Sequence, residues 1–166
     1  MNPLALLPLA TPVASAWARW QSRRILRDGE PLTPEQMQVA SAVGVAHPEQ
    51  VRVLRVGRIP FPGGRAVDRL ARRIGLPGLD VDGLTLGHGI FMRRGAATLR
   101  LLAHECRHVA QFEAAGSLRE FLADYLRQVS RHGYADAPYE VDARRAAAHW
   151  AHTRANAGSL MSPAPD

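Results

Sequence analysis

A long helical pattern lies between residues 96 and 115, where apolar residues recur at near-helical spacing and no glycine or proline intervenes. This spacing predicts a buried helix over Ala96–Ala115. A second helix is expected from Ser117 to Arg131. A third follows a turn around Tyr134, begins near Pro138, which suits the first helical position, and continues to about Arg154. The C-terminal half of the chain is therefore predicted to be helical.

Residues 1–32 are expected to form an N-terminal arm whose amphipathic helix runs from Val13 to Arg27. The helix has an apolar edge and a basic edge, formed by Trp17, Trp20, Arg23, Arg24 and Arg27. A strong helix start follows, with an N-cap, a first-turn proline and a capping-box partner in Thr33, Pro34 and Gln36. That helix is predicted to reach about Val43 and to stop at Gly44.

Two stretches with β-branched residues and partial alternation predict strands, at Gln50–Val56 and Leu84–Met92. A short helix is expected between them over residues 65–74. The predicted fold class is α+β: a minimal, mostly helical domain over residues 33–154 with a small β-sheet or hairpin. Residues 155–166 are expected to form a disordered tail, because the end of the chain is rich in glycine, serine and proline.

The composition fits one globular domain of ordinary size, with 166 residues of which 46% are hydrophobic. All 21 basic residues are arginine, and the formal net charge is +6. The arginines are dispersed along the chain and are not interleaved with aromatic residues, so specific nucleic-acid binding is not expected. The protein is expected to be a monomer.

Cys106 is the lone cysteine, so no internal disulfide calls for an oxidising compartment. The apolar start, residues 2–18, is interrupted by prolines and is shorter than the roughly 20 residues that span a bilayer, so no transmembrane segment is expected. No basic residue precedes it, so a cytoplasmic location is favoured over secretion. Weak contact with a membrane surface through residues 13–27 is the remaining membrane hypothesis.

The residues most informative about chemistry lie inside the predicted helix at 96–115. His104 and His108 are four positions apart, so both imidazoles leave one face of the helix and can share one metal ion. Glu105 lies beside them. This H-E-x-x-H arrangement indicates a zinc site in which Glu105 acts as a general base on a water molecule. Two histidines and an acid on a solvated helix are the alternative, but the flanking residues are too apolar for that.

A third ligand is needed, and the sequence offers several acids. The glycine and the third histidine of a metzincin motif are absent, because Gln111 and Ala114 stand at their positions. Glu113 is too near on the same helix. Acids on the next helix, Glu120 and Asp124, are open alternatives. Glu140 is best placed, because the first turn of the helix that starts at Pro138 projects it from a rigid element.

Three segments together resemble a known family: Leu101 to Gln111, then Tyr134 with Ala137 to Ala143, and upstream Gly83 to Phe91. They are similar to the small single-domain gluzincin-type metallopeptidases, the group that includes the DUF4157 domains. The resemblance covers about residues 51–151 and implies a zincin-like domain. The chain departs from this family in having Cys106 and Arg107 within the motif and in being very short.

The resemblance implies that zinc is bound by His104, His108 and Glu140, with Glu105 as the catalytic base and a peptide or protein as the substrate. It also implies residues behind the ligands that orient them, for which we select Gln111, Asp142 and Arg144. In such enzymes the strand before the active-site helix pairs with the substrate, which points to Gly87, His88 and Gly89 as substrate-binding residues. Tyr134 is our first choice as the donor to the oxyanion, ahead of Tyr139, His88 and Arg144.

Two other functions are compatible with a zinc-binding helix motif. Peptide deformylase shares the helix motif but needs a cysteine ligand far upstream, which this chain lacks. A zinc-stabilised interaction module of a bacterial assembly, catalytically silent or latent, is the principal alternative. Retention of Glu105 argues against a purely structural site, which needs no base.

Overall fold

The structure is a computed structural model that describes residues 7–60 and 81–160, so the helix predicted over residues 65–74 lies outside the described residues. The described helices are α1 Leu7–Asp28, α2 Pro34–Ala42, α3 Leu99–Ala115, α4 Leu118–His132 and α5 Pro138–Leu160. The described strands are β1 Glu30–Pro31, β2 Arg52–Val56, β3 Gly83–Leu86 and β4 Gly89–Arg93. The chain therefore has the expected α+β class, with most of the helix in its C-terminal half.

The four strands form one sheet in the order β1-β2-β4-β3. The central pair β2 and β4 is parallel, and the two outer pairs are antiparallel. Strand β3 thus forms one edge of the sheet. Because side chains alternate along a strand, Thr85 faces α3 while Leu84 and Leu86 face α1. Strand β3 therefore has α3 on one face and α1 on the other.

The prediction of a single strand over Leu84–Met92 is wrong. The stretch is a hairpin in which β3 and β4 are joined through Gly87 and His88. Gly87 has a φ of +72°, which favours glycine and turns the chain. The apolar pattern continues through the turn because both strands contribute buried residues, so the pattern alone does not reveal the break.

Two apolar cores lie on the two faces of the sheet. One core joins α2 and α3 to the sheet, with contributions from α5. The other joins α1 and α4 to it and includes the fully buried Ile25, Leu86 and Phe91. Helix α1 therefore packs on the same sheet as the rest of the chain. On its outer side Trp20 and Leu26 are exposed. Within the described residues, no helix is both long and apolar enough to cross a bilayer.

The helix termini follow local capping rules. The capping box of Thr33 and Gln36 at the start of α2 is present, as expected. Thr98 caps α3, whose C-terminal residue is followed by Gly116 in the left-handed conformation. Helix α5 starts at Pro138, as expected, but continues to Leu160 rather than ending near Arg154. Its last turns lack the proline that would have stopped it.

Candidate metal centre

Three side chains from two helices converge on one point. His104 and His108 come from α3, and Glu140 comes from the first turn of α5. The Nε2 atoms of the two histidines are 3.2 Å apart, and each lies 3.4 Å from one oxygen of Glu140. A tetrahedral site with bonds of about 2.0–2.1 Å separates its ligand atoms by about 3.3 Å. The three residues therefore have the spacing of a metal site.

The hydrogen bonding of Glu140 also fits a metal site. Glu140 Oε2 is buried and has no hydrogen-bond partner, although its residue is only 2% exposed. Burial opposes ionisation of Glu140, but the adjacent imidazoles of His104 and His108 and the hydrogen bond from Tyr125 outweigh it and hold the pKa of this carboxyl well below its usual range. A buried carboxylate oxygen facing two imidazole nitrogens is satisfied by a cation at their centre.

The ring of His108 is held by a chain of side chains behind it. Gln111 Nε2 donates to Tyr139 O at 3.0 Å and to Asp142 Oδ2 at 2.7 Å, so its Oε1 must accept the contact from His108 Nδ1 at 2.8 Å. Nδ1 therefore carries a proton, which leaves Nε2 as the nitrogen that a metal ion at the cluster would use. This is the arrangement by which a neighbouring group fixes the tautomer of a metal-binding histidine.

The chain of contacts continues from Asp142 to the body of the protein. Arg107 binds Asp142 through Nε at 2.7 Å and a second nitrogen at 3.2 Å, and it also donates to Val43 O at 3.0 Å. Gln111 and Asp142 therefore lie behind His108, at the positions expected for residues that orient a ligand. Arg107, one of the two residues by which the motif departs from the family it resembles, anchors Asp142.

Glu105 lies on α3 beside the cluster and is 4% exposed. Its Oε2 accepts a hydrogen bond of 2.7 Å from the Thr85 hydroxyl of β3. A Cβ atom at Gly83 would lie only 2.2 Å from Glu105 Oε1, so the absence of a side chain at Gly83 makes room for the carboxylate. Burial raises the pKa of Glu105, although the charges of His108 and His104 and the Thr85 hydrogen bond oppose the rise. Glu105 is thus a basic, buried carboxylate.

Two cavities meet at the ligand cluster. The apolar cavity, of about 180 Å³, lies between α1, β3 and α4. The open cavity, of about 570 Å³, extends toward the start of α3 and past α5. Five residues line both: Val81, Gly83, His104, Glu105 and Tyr134. A molecule in either cavity would therefore reach the cluster.

Tyr134 and Arg144 lie at the site. Burial, with the charges of Glu140 and Glu105, raises the pKa of the Tyr134 phenol well above its usual value. The hydroxyl therefore remains protonated and can donate. Arg144 lines the open cavity, lies 3.8 Å from Glu140 Oε2 and bonds the carbonyl oxygen of Ala135. It thereby ties the ligand helix to the loop that precedes it.

The predicted substrate residues Gly87, His88 and Gly89 are not brought to the cluster. They form the far end of the hairpin and line neither cavity. His88 Nε2 contacts Glu113 at 3.0 Å, and its ring packs edge-on against Phe112. Gly89 lies against Ile25 of α1, where a Cβ atom would come within 2.9 Å. The stretch of β3 that lines the apolar cavity is Gly83–Leu86.

The other acids considered as ligands have separate partners. Glu113 accepts hydrogen bonds from the backbone N–H groups of Ala46 and His47. Glu120 bonds Ser117, and Asp124 pairs with Arg127. Over the described part of the chain, the single group of three residues that could hold a metal ion is His104, His108 and Glu140.

Sequence reasoning missed three residues of the site: Gly83, Thr85 and Tyr125. Tyr125 donates a hydrogen bond of 2.8 Å to Glu140 Oε1, and its ring lies edge-on to His108. Gly83 and Thr85 are two positions apart, the spacing that places residues on one face of a strand. The sequence shows this two-residue spacing. It does not show which helix packs against that face of the strand, because this depends on the fold. No pattern in the sequence indicated Tyr125.

Comparison of the chain with models of protein families, with curated proteins and with solved structures found no match in any of the three. What the site does is therefore inferred from its geometry and chemistry.

Proposed function

We propose that this protein is a zinc-dependent metallopeptidase with a zincin-like domain, of the gluzincin type that its motif segments resemble. The observation that carries the proposal is the convergence of His104 Nε2, His108 Nε2 and the Glu140 carboxylate at 3.2 and 3.4 Å. Two imidazoles and one carboxylate are a ligand set of catalytic zinc sites, which leave one position open. A buried acid, Glu105, borders the same cavities as this cluster.

In this proposal His104, His108 and Glu140 would hold the ion. Bound zinc would supply a Lewis acid and lower the pKa of a water molecule at its open position. Glu105 takes a proton from a water molecule whose oxygen bonds to the carbonyl carbon of the peptide. It then delivers that proton to the amine nitrogen as the C–N bond breaks. Burial, which raises the pKa of Glu105, makes its carboxylate a stronger base for this transfer.

One further residue orients Glu105, and another is placed to hydrogen-bond the substrate. The Thr85 hydroxyl holds one oxygen of the Glu105 carboxylate and leaves the other to accept the proton. Tyr134 borders both cavities, and we assign its hydroxyl as the donor to the oxygen of the scissile carbonyl. The raised pKa of Tyr134 supports this role, because a phenol must be protonated to donate.

The first test separates the metal from the chemistry. Elemental analysis should give about one zinc per chain in the wild type, and Glu140→Ala should lose it. A matched control is His149→Ala, an exposed residue later in the same helix, which should retain zinc. Retention of zinc by Glu140→Ala would overturn the assigned ligand set.

The second test concerns cleavage of a peptide library. Glu105→Gln should keep its zinc and lower the cleavage rate about 100- to 10,000-fold, the range for losing a general base. Glu49→Gln, in which an exposed acid is changed, should cleave at the wild-type rate. Zinc without any wild-type cleavage would refute the peptidase and leave the zinc-stabilised module.

One observation favours that second candidate, a latent or silent zinc module. Residues Ser15, Trp17 and Ala18 of α1 form part of the wall of the apolar cavity beside the cluster. An N-terminal helix in that position restricts the space along β3 for an extended peptide. In that case the protein would bind zinc and cleave no peptide while α1 holds this position.

A further inference from the structure

The open cavity has two arginines in its wall, each close to the ligand cluster. They are Arg100 of α3 and Arg144 of α5. Arg100 precedes His104 by four residues, and Arg144 follows Glu140 by the same number. Residues four apart share one face of a helix and are separated by about 6 Å along its axis. Each arginine therefore lies one helical turn from a residue of the cluster.

Helices α3 and α5 are antiparallel, which places both arginines on the same side of the cluster. Gln111 of α3 donates to the carbonyl oxygen of Tyr139, near the start of α5. Arg107, one turn earlier in α3, contacts Asp142, which comes later in α5. A step toward the start of α3 is therefore a step toward the end of α5. The residue that precedes one ligand and the residue that follows the other thus meet the same cavity.

Both arginines have charge to offer a ligand. Arg100 is exposed and, over the part of the chain that the structure describes, takes part in no ion pair. Arg144 is also exposed. One of its terminal nitrogens donates to Ala135 O, and the other lies 3.8 Å from Glu140 Oε2. A guanidinium group has five N–H donors, so these contacts leave donors for a further partner.

The acids in the wall of the open cavity already have partners. Asp82 accepts a hydrogen bond of 2.6 Å from Arg93 Nε. Glu105 accepts from the Thr85 hydroxyl and is 4% exposed. The charge that the cavity presents to a ligand is therefore positive. Carboxylate is the group in an unmodified peptide that guanidinium binds most strongly, through charge-assisted and often paired hydrogen bonds.

We propose that Arg100 and Arg144 bind a carboxylate of the molecule that occupies the open cavity. In a peptide substrate this carboxylate lies within about two residues of the scissile bond, because one residue of an extended peptide spans about 3.4 Å and the arginines lie one helical turn from the ligands. An acidic side chain or the C-terminus of the peptide supplies it. Its position in a cleaved peptide rests on the proposed peptidase function, whereas binding of the carboxylate does not.

The test compares three alanine-based pentapeptides that differ in one carboxylate. The first has glutamate at its centre and both ends blocked, the second has glutamine there, and the third is the glutamine peptide with a free C-terminal carboxylate. Each is titrated with zinc present into full-length Glu105→Gln protein, which lacks the base and leaves the peptides intact, and binding is followed by NMR.

A carboxylate peptide should bind about three- to tenfold more tightly than the blocked glutamine peptide. Preference for the first peptide would identify the acidic side chain as the source of the carboxylate, and preference for the third would identify the C-terminus. The preference should shrink as salt is raised from about 50 mM to about 500 mM, because salt screens exposed charges.

Arg100→Gln should reduce this preference about two- to fivefold, the effect of one exposed ion pair, and should retain zinc. Arg144→Gln should reduce it similarly. Because Arg144 also contacts Glu140, Arg100→Gln alone decides the case if Arg144→Gln loses zinc. Arg145→Gln is the matched control, since Arg145 is exposed, adjoins Arg144 and lines neither cavity. It removes the same charge from the protein and should keep the preference.

Equal affinity for the three peptides, or an equal loss of preference in Arg100→Gln and Arg145→Gln, would overturn the proposal. Cleavage by the wild type distinguishes this failure from failure of the enzyme. Cleavage together with equal binding of all three peptides would refute the carboxylate site and retain the peptidase. Preferred binding of a carboxylate peptide without any wild-type cleavage would support the carboxylate site and refute the peptidase.

Discussion

The orientation of the His108 ring depends on a side chain three residues further along α3. Gln111 accepts the Nδ1–H of His108 and is itself held by Tyr139 O and Asp142. We expect Gln111→Leu to lower zinc affinity about 10- to 100-fold, because the ring loses the partner that fixes its tautomer. Competition with a fluorescent chelator would measure the change.

Gln128→Leu is the matched control for this substitution. Gln128 is also a half-buried glutamine that contacts the start of α5, where it accepts from Tyr139 N at 2.8 Å, but it does not touch His108. It should keep the wild-type zinc affinity. An equal loss in both variants would mean that Gln111 acts by general packing of α5 and not through the histidine.

The space beside Glu105 leads to a second prediction about a single residue. Gly83→Ala would bring a Cβ atom within 2.2 Å of the Glu105 carboxylate, which must then move. We expect the free energy of unfolding to fall by about 1–3 kcal/mol, as for other overpacked sites. Denaturant titration would measure this. Gly57→Ala, where a Cβ atom meets nothing within 4 Å, should change the value by less than about 0.5 kcal/mol.

At the scale of residues, the sequence indicated the cluster because its geometry is mostly local. His104 and His108 share a face through helical spacing alone, and Pro138 set the start of the helix that carries Glu140. Thr85 and Tyr125 were missed because their contacts with Glu105 and Glu140 span 20 and 15 residues of chain. Such contacts depend on how strands and helices pack, and no local pattern encodes them.

At the scale of elements, α1 is part of the packed structure on one face of the sheet. Ile25 is fully buried there against Gly89. We expect Ile25→Ala to lower the free energy of unfolding by about 2–5 kcal/mol. The next residue is an apolar control: Leu26 is 44% exposed, and Leu26→Ala should cost less than about 0.5 kcal/mol. Equal small effects in denaturant titrations would mean that α1 is a detachable arm.

The elements that the sequence predicted well are those with explicit start signals, namely α2 with its capping box and α5 with Pro138. The hairpin of β3 and β4 was missed because buried residues on both strands hide the turn at Gly87. The end of α5 was placed too early, since weak helix formers near Asn156 do not stop a helix that is already established.

At the scale of the whole molecule, the ligand cluster joins α3 to α5 across a long stretch of chain. A metal that binds the folded state alone stabilises it by about 2.7 kcal/mol when its concentration is 100 times its dissociation constant. For a domain of this size that is about 5–10 °C in the melting temperature. Zinc-loaded wild type should therefore melt about 5–10 °C lower after the metal is removed with a chelator. Glu140→Ala should melt at one temperature with or without the chelator, whereas His149→Ala should respond as the wild type does. A chelator effect that persists in Glu140→Ala would place the stabilising metal outside the cluster.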